Sequence, residues 1–417
     1  MSSITPVRPS AVGEWSVFAW MRLPQVVARR IGVSWLTVGW IPVFAAAALT
    51  AVGIAAIDTT QPAYAARQFA YALVGIAMGV MAVVPHTATL ERWSPWVFVL
   101  TLGSLVVLVM PGVPESIVRP RNGSRCWIDL GVIDVQPAEF AKLAWILATA
   151  WWLRRAADVR TVSGIVLPFI ITAVPVALIL VQPDLGTALL FFPTLLAMLL
   201  AQGARKMHIA LVVATAAVLA PASYPVLKPH QRARIDALIA QVQGSDRYVR
   251  SIGFQGDRAV TLIASGGTLG HGKAQAAALV RHNALPEEHN DMIFAVAACR
   301  WGLAGGLAII ALQGIYAIGA LLVAAVTRSR YGRLAATGIG IMCAWQATVN
   351  LGMTVGLLPI TGLTLPFVSA GGSSMVAAWI STGILFGIAA RQSREVTSGS
   401  GSTGGSLVAG APRGSFA

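Results

Sequence analysis

Long apolar runs separated by short polar breaks set the rhythm of this chain. They fall at about 35–57, 67–84, 95–112, 137–153, 162–181, 185–201, 208–227, 292–326, 334–358 and 367–390. Nearly all have the length that a helix needs to cross the hydrocarbon of a bilayer, roughly 20 residues. The pattern predicts an all-α polytopic membrane protein of about ten transmembrane helices. A large extracytoplasmic loop, 228–291, is expected between helices 7 and 8. The eighth run exceeds one span, and its first part is expected to lie in the interface or to line a cavity.

The polar stretches divide the chain further. Residues 1–34 read as a basic cytoplasmic segment, with Trp15, Phe18, Trp20 and Leu23 suited to a short interfacial helix. No small-residue cleavage site follows at once, so the first run is expected to be retained rather than removed as a signal peptide. Residues 35–391 form the transmembrane domain, and the Ser/Gly-rich residues 392–417 read as a disordered cytoplasmic tail. Within the large loop, Ile235, Leu238, Ile239 and Val242 recur at helical spacing, which predicts a helix against the membrane.

Composition agrees: 56% of residues are hydrophobic and 11% charged, where a soluble domain carries roughly a quarter charged. The net charge of +14 comes from 30 Lys and Arg against 16 Asp and Glu. These cations sit between spans, so membrane lipid is the expected partner and nucleic acid is not. Arg29/Arg30, Arg92, Arg154/Arg155/Arg160, Arg205/Lys206, Arg328/Arg330/Arg333 and Arg391/Arg394 fall on one side. The short connections near Asp58, Asp184 and 359–366 are almost free of Lys and Arg. The positive-inside rule therefore predicts a multi-pass protein of the cytoplasmic membrane with both termini in the cytoplasm. Two long outer loops, 113–136 and 228–291, are nonetheless basic, which points to an anionic substrate at the outer leaflet. Cys126, Cys299 and Cys343 lack metal-site spacing and read as buried apolar thiols.

The densest chemistry lies in LPEEHNDMIF, 285–294, where Glu287, Glu288, His289 and Asp291 stand at the mouth of an apolar run. Desolvation strengthens a carboxylate there as a base and a nearby cation weakens it. Three readings are open for Asp291: a helix-capping acidic turn, a metal ligand with His289, or a general base. Glu139 and Lys142 in QPAEFAK share a helix face, either as a mutual pair or as a cavity wall. Asp184 in QPDLGT has an N-cap position available. Arg125, before Trp127, is suited to interfacial anchoring or to bidentate phosphate binding. Gly267–Lys273, GTLGHGK, has the spacing of a phosphate-binding P-loop. Ala274 replaces the Ser/Thr that would hold magnesium and no strand precedes it, so nucleotide binding is rejected in favour of flexible backbone near a lipid head group. In GLTLPFVSAGGSS, 362–374, small residues favour close packing, and Ser369, Ser373 and Ser374 are candidates to line a polar cavity.

Taken together, these blocks resemble the SEDS family of bacterial membrane proteins (shape, elongation, division and sporulation), of the FtsW/RodA type. The matching stretches are NGSRCWIDLG (122–131), QPAEFAKL (136–143), QPDLGTALLF (182–191), SGGTLGHG (265–272), LPEEHNDMIFAV (285–296) and NLGMTVGLLPITGLTLPFVSAGGSS (350–374). The form GLTLPF lies closer to the FtsW branch. The resemblance implies a ten-helix fold and a peptidoglycan glycosyltransferase that polymerises lipid II at the outer face, in septal wall synthesis. Asp291 would be catalytic. The family's other site positions map onto Arg125, Glu139, Lys142 and Asp184, and His289, Lys273, Ser369 and Ser373 are added to this substrate-binding set from their own residue types, with no metal ligand assigned. No cofactor is assigned beyond a divalent cation (Mg or Mn), which is left open, and no nucleotide sugar is needed because lipid II is already activated. The implied partners are a class B penicillin-binding transpeptidase and other division proteins.

The chain departs from the family pattern in four places that bear on the site. Cys299 and Arg300 stand where acids are usual, Ala370 where tyrosine is usual, Ala259 in place of a serine, and QPSE has become QPAE at Ala138. Loss of two acids would make Asp291 a weaker base. A lipid II flippase and a catalytically weakened scaffold are the competing readings.

Overall fold

The computed structural model describes residues 35–400, except 115, 119–123, 130, 132–133, 157–158, 223, 227–228 and 244–253. Seven helices run in succession: α1 (Trp35–Thr60), α2 (Pro62–Val83), α3 (Thr87–Val109), α4 (Pro137–Arg155), α5 (Val162–Val181), α6 (Leu185–Gln202) and α7 (Lys206–Ala222). Three shorter helices follow in the long loop: α8 (Pro229–Val242), α9 (Phe254–Ser265) and α10 (Lys273–Asn283). The chain then returns through α11 (Ile293–Val326), α12 (Arg330–Thr354) and α13 (Gly372–Ser400).

All ten apolar runs became helices, and eight are long and apolar enough to cross a membrane. The other two are α4 and α7. α4 carries Glu139, Lys142, Arg154 and Arg155, yet it is buried almost continuously from Pro137 to Ala150. Its charges are tolerated because its neighbours, not lipid, surround it. α7 has a shorter apolar stretch, Lys206–Val218. Boundaries follow local chemistry. Pro62 and Pro137 open α2 and α4, where a missing N–H costs nothing. Gly203, at φ 106°, closes α6 with a left-handed cap.

The interior is built on Trp145, Phe191, Tyr316 and Tyr331, all fully enclosed. The Trp145 indole donates to Thr172 Oγ1 at 3.1 Å, which lets a polar ring edge sit in the core. α2 and α13 cross at glycines. A Cβ on Gly383 would lie 1.9 Å from the Gly79 carbonyl oxygen, so only glycine permits this approach.

The overlong eighth run is broken rather than continuous. Gly302 adopts φ 65° and ψ −163°, a conformation open essentially to glycine alone. The segment 293–301 before it is a short, almost wholly buried helix. The glycine turn at 265–272 fills the break. Leu303 and Ala304 donate to the Gly267 and Thr268 carbonyls at 2.9 and 3.2 Å, and His271 N–H donates to the Cys299 carbonyl at 3.1 Å. A Cβ on Gly266 would meet the Ala298 oxygen at 2.2 Å. The expectation of flexible backbone near a head group is thus corrected: these glycines are packed into a helix break and exchange its freed hydrogen bonds.

Three further points depart from or extend the sequence reading. The first outer loop contains a two-residue antiparallel pair, with Ile128 opposite Val135 and Asp129 opposite Asp134. The helix expected around Ile235–Val242 is α8. α13 continues to Ser400, into the stretch expected to be disordered. The interfacial N-terminal helix and the rest of the tail, residues 401–417, lie outside the described residues.

Candidate active site

Alternation of the spans puts Arg92, Arg154/Arg155, Arg205, Arg328/Arg330 and Arg391 at one end of the bundle and LPEEHND at the other. There the chain leaves α10 through left-handed Ala284 (φ 52°) and turns again at Glu287 (φ 50°). Asn290 and Met292 N–H groups both return to the Glu287 carbonyl, at 3.0 and 3.4 Å. This winds the acids into a compact turn. Asp291 is 6% exposed. Gln255, on the first turn of α9, donates to Asp291 Oδ1 at 3.4 Å and to the Pro286 carbonyl at 3.5 Å. α9 therefore covers the carboxylate. The N-cap position of α11 is held by Met292, whose side chain makes no capping hydrogen bond, so Asp291 does not occupy the N-cap.

Two amides of α12 anchor this turn from below. Asn350, fully buried, donates through Nδ2 to the Asp291 carbonyl at 2.8 Å and to the Leu363 carbonyl at 2.6 Å. One turn away, Gln346 donates to the Thr364 carbonyl at 2.9 Å and accepts from Lys142 Nζ at 2.8 Å. Lys142 also pairs with Glu139 at 2.9 Å, and both are nearly enclosed. Mutual pairing and a cavity wall both hold: the pair borders a cavity of about 60 Å³ with Tyr316, Cys343, Gln346 and Ser374. That is space enough for water. The polar network thus runs from Lys142 through Gln346 to the loop that Asn350 ties to Asp291.

α2 supplies the third wall. Gln61 donates to Glu288 Oε1 at 3.3 Å, and the Tyr64 ring lies 4.4 Å from the His289 ring. His289 accepts from Ala370 N–H at 2.8 Å through its carbonyl, and its Nδ1 is buried without a hydrogen-bond partner among the described residues. Gln68 donates to the Ser369 carbonyl at 2.9 Å and accepts from Gly371 N–H at 3.0 Å. Sequence reasoning missed Gln68, Gln255, Gln346 and Asn350. For Gln68, Gln346 and Asn350 an amide inside an apolar run was the available signal, since a buried amide must find partners; Gln255, in the long loop, carried none.

The remaining candidates are placed as follows. Asp184 caps α6, accepting from Thr187 N–H at 2.9 Å. Burial holds its carboxyl above the usual range, opposed by the Thr187 bond and by nearby Lys142. Arg125 donates to the Val113 carbonyl at 3.2 Å and keeps a buried Nε without a partner among the described residues. Its neighbour Cys126 donates to the Gln182 carbonyl at 3.4 Å, and burial pushes the thiol up to about 12. Lys273 is paired with Asp58 at the end of α1. Ser369 Oγ accepts from Leu365 N–H at 2.7 Å, and Ser373 Oγ accepts from Gln136 N–H at 2.9 Å and donates to the Asp134 carbonyl at 3.3 Å. Both serines thus join backbone segments. Ser373 ties the first outer loop to α13. Among the described residues no three His, Cys, Asp or Glu side chains assemble as a metal-ligand set.

Three of the four departures are placed beside the site. Arg300 donates to the Ala55 carbonyl and to Thr59 Oγ1, at the C-terminal end of α1, where a cation is favourable. Cys299 is fully buried and Ser265 donates to its sulfur at 3.7 Å. Ala259 is buried on α9, and Ala370 meets the site through its backbone.

Comparison with known proteins now bears on this geometry. The cell cycle protein family that groups FtsW, RodA and SpoVE matches residues 28–394. The chain belongs to this family. A probable peptidoglycan glycosyltransferase FtsW of Nitrosococcus halophilus is 35% identical over 369 residues, covering 87% of this chain and 91% of its own. Stage V sporulation protein E of Bacillus subtilis is 31% identical and covers 88% of this chain and 96% of its own. Among solved structures, one of a peptidoglycan synthase complex that coordinates polymerization and crosslinking aligns with TM-score 0.73 at 28% identity, covering 85% of this chain and 98% of that one. The rod shape determining protein RodA of Thermus thermophilus aligns with TM-score 0.63 at 24% identity and shares the fold, covering 85% of this chain and 97% of its own.

Proposed function

We propose that this chain is a peptidoglycan glycosyltransferase that polymerises lipid II at the outer face of the cytoplasmic membrane during septal wall synthesis. The observation that carries the reading is the Asp291 turn, pinned by Asn350 and linked through α12 to the buried Lys142. Its similarity to proteins named for this activity supports it.

Building a glycosidic bond with inversion needs a base at the acceptor hydroxyl and positive charge at the departing pyrophosphate. Asp291 takes the proton of the acceptor 4-hydroxyl as that oxygen bonds to the donor C1. The C1–O bond to undecaprenyl pyrophosphate breaks. On this reading Arg125 and Lys142 supply the positive charge that the leaving group needs. The 3.4 Å contact from Gln255 is long for a hydrogen bond, and the acceptor hydroxyl takes its place at Oδ1. The scaffold reading is motivated by Cys299 and Arg300, of which Arg300 is the cation that would weaken Asp291. That guanidinium is held by α1 instead.

On this reading the termini are cytoplasmic, and a class B penicillin-binding transpeptidase takes the new glycan. The test is purified chain given lipid II in vesicles, with and without a transpeptidase. Glycan product supports the polymerase. Lipid movement without product would mean a flippase, and neither would mean a scaffold.

A further inference from the structure

At the arginine-rich end, far from Asp291, α3 and α4 enclose a groove of about 660 Å³. This is within the range of small-molecule sites. Its floor is unusual. Glu91 is buried, and its two oxygens each take one arginine, Arg154 at Oε2 and Arg155 at Oε1, the latter at 2.9 Å. One carboxylate thus fixes two neighbouring guanidinium groups side by side, while each stays more than 40% exposed. Arg155 is held further by donating to the Trp151 carbonyl at 3.0 Å and by lying 4.5 Å over the Trp151 ring. Arg92, exposed on the facing wall, brings a third cation and forms no ion pair among the described residues. Three arginines against one glutamate leave the groove with a charge of +2. The rest of the wall is apolar: Trp96 and Val99 are 67% and 60% exposed.

We propose that this groove is a binding site for an anionic phospholipid. The phosphate lies across Arg92, Arg154 and Arg155, and the upper acyl chain lies on Trp96 and Val99. Three features argue for this occupant. A bidentate guanidinium fork matches phosphate oxygens, and prior immobilisation by Glu91 lowers the cost of binding. Basic pockets between helix ends, beside interfacial tryptophans, suit acidic head groups. The net positive charge favours an acidic lipid over a zwitterionic one. It also disfavours the chain's own N-terminal stretch, where Arg8, Arg22, Arg29 and Arg30 outweigh Glu14. The site uses no residue of the Asp291 network, so its failure would leave the proposed activity untouched.

The test is native mass spectrometry of the full chain, extracted from vesicles of equal phosphatidylglycerol and phosphatidylcholine. The expected result is retained phosphatidylglycerol in preference to phosphatidylcholine. Arg92→Gln and Arg154→Gln should each weaken retention roughly fivefold. Each leaves Glu91 paired with Arg155, so the fold is kept. Trp96→Ala should weaken retention of both lipids alike. Equal retention of the two lipids by the wild type would overturn the proposal. So would unchanged phosphatidylglycerol in both arginine variants, or its complete displacement by inorganic phosphate at physiological concentration.

Discussion

Asp291 and Asp184 are both acids at helix beginnings, and only their partners tell them apart. Asp184 accepts the Thr187 N–H and does the work of a cap, as its position after Pro183 suggested. Asp291 does not occupy the N-cap of α11, and a loop-helix glutamine rests on it. Asp184→Asn should keep the cap and the melting temperature, whereas Asp184→Ala should lose about 1 kcal/mol of stability. A large loss of stability in the asparagine variant would contradict the capping role. Cys126 gives a second check. With its thiol near 12 and its side chain buried, it should resist alkylation at pH 8 in the folded protein and react on denaturation. Rapid labelling of the native state would show that the first outer loop does not pack on the α5–α6 connection. The acids and the Glu139–Lys142 pair were legible in the sequence because charges near apolar runs stand out. The glutamines and Asn350 were not, since their meaning depends on carbonyls more than ten residues away in the chain.

Elements carry the next layer. All ten apolar runs were readable as helices because a span has a minimum length. The break in α11 was not, because Gly302 looks like any glycine in an apolar run. What reveals it is the turn at 265–272, whose backbone reaches into the gap. Gly302→Ala should be severely destabilising. It combines backbone strain of about 1–3 kcal/mol with a Cβ placed 2.4 Å from the Gly270 nitrogen. Normal expression and melting of that variant would sink the packing argument. α12 acts as a ruler, with Gln346 and Asn350 one turn apart holding Lys142, the 363–364 backbone and the Asp291 turn in register. Asn350→Ala strips two buried carbonyls of their donor. We expect a fall in polymerisation of about a hundredfold from the displaced turn, measured on protein still folded by its thermal transition. An unchanged rate would remove Asn350 from the site.

Over the whole molecule, chemistry and charge separate to opposite ends. The arginines that the positive-inside rule assigns to the cytoplasm lie at one end. The Asp291 turn, Arg125 and the loop helices lie at the other. Between them, α4 carries the buried Glu139–Lys142 pair, and α12 carries the neutral amides Gln346 and Asn350 that join this pair to the Asp291 turn. If the arginine-rich end is cytoplasmic, as the positive-inside rule predicts, the Asp291 turn stands at the outer leaflet, where a lipid-linked sugar would meet it. The chain alone could not say whether Arg300 spoils the site; its bond to α1 could be seen only once α1 and α11 were packed together.

The most direct test compares purified wild type with Asp291→Asn on lipid II, with folding of both verified. The account predicts glycan strands from the wild type and none from the asparagine variant. Strands formed by the variant at the wild-type rate would contradict it.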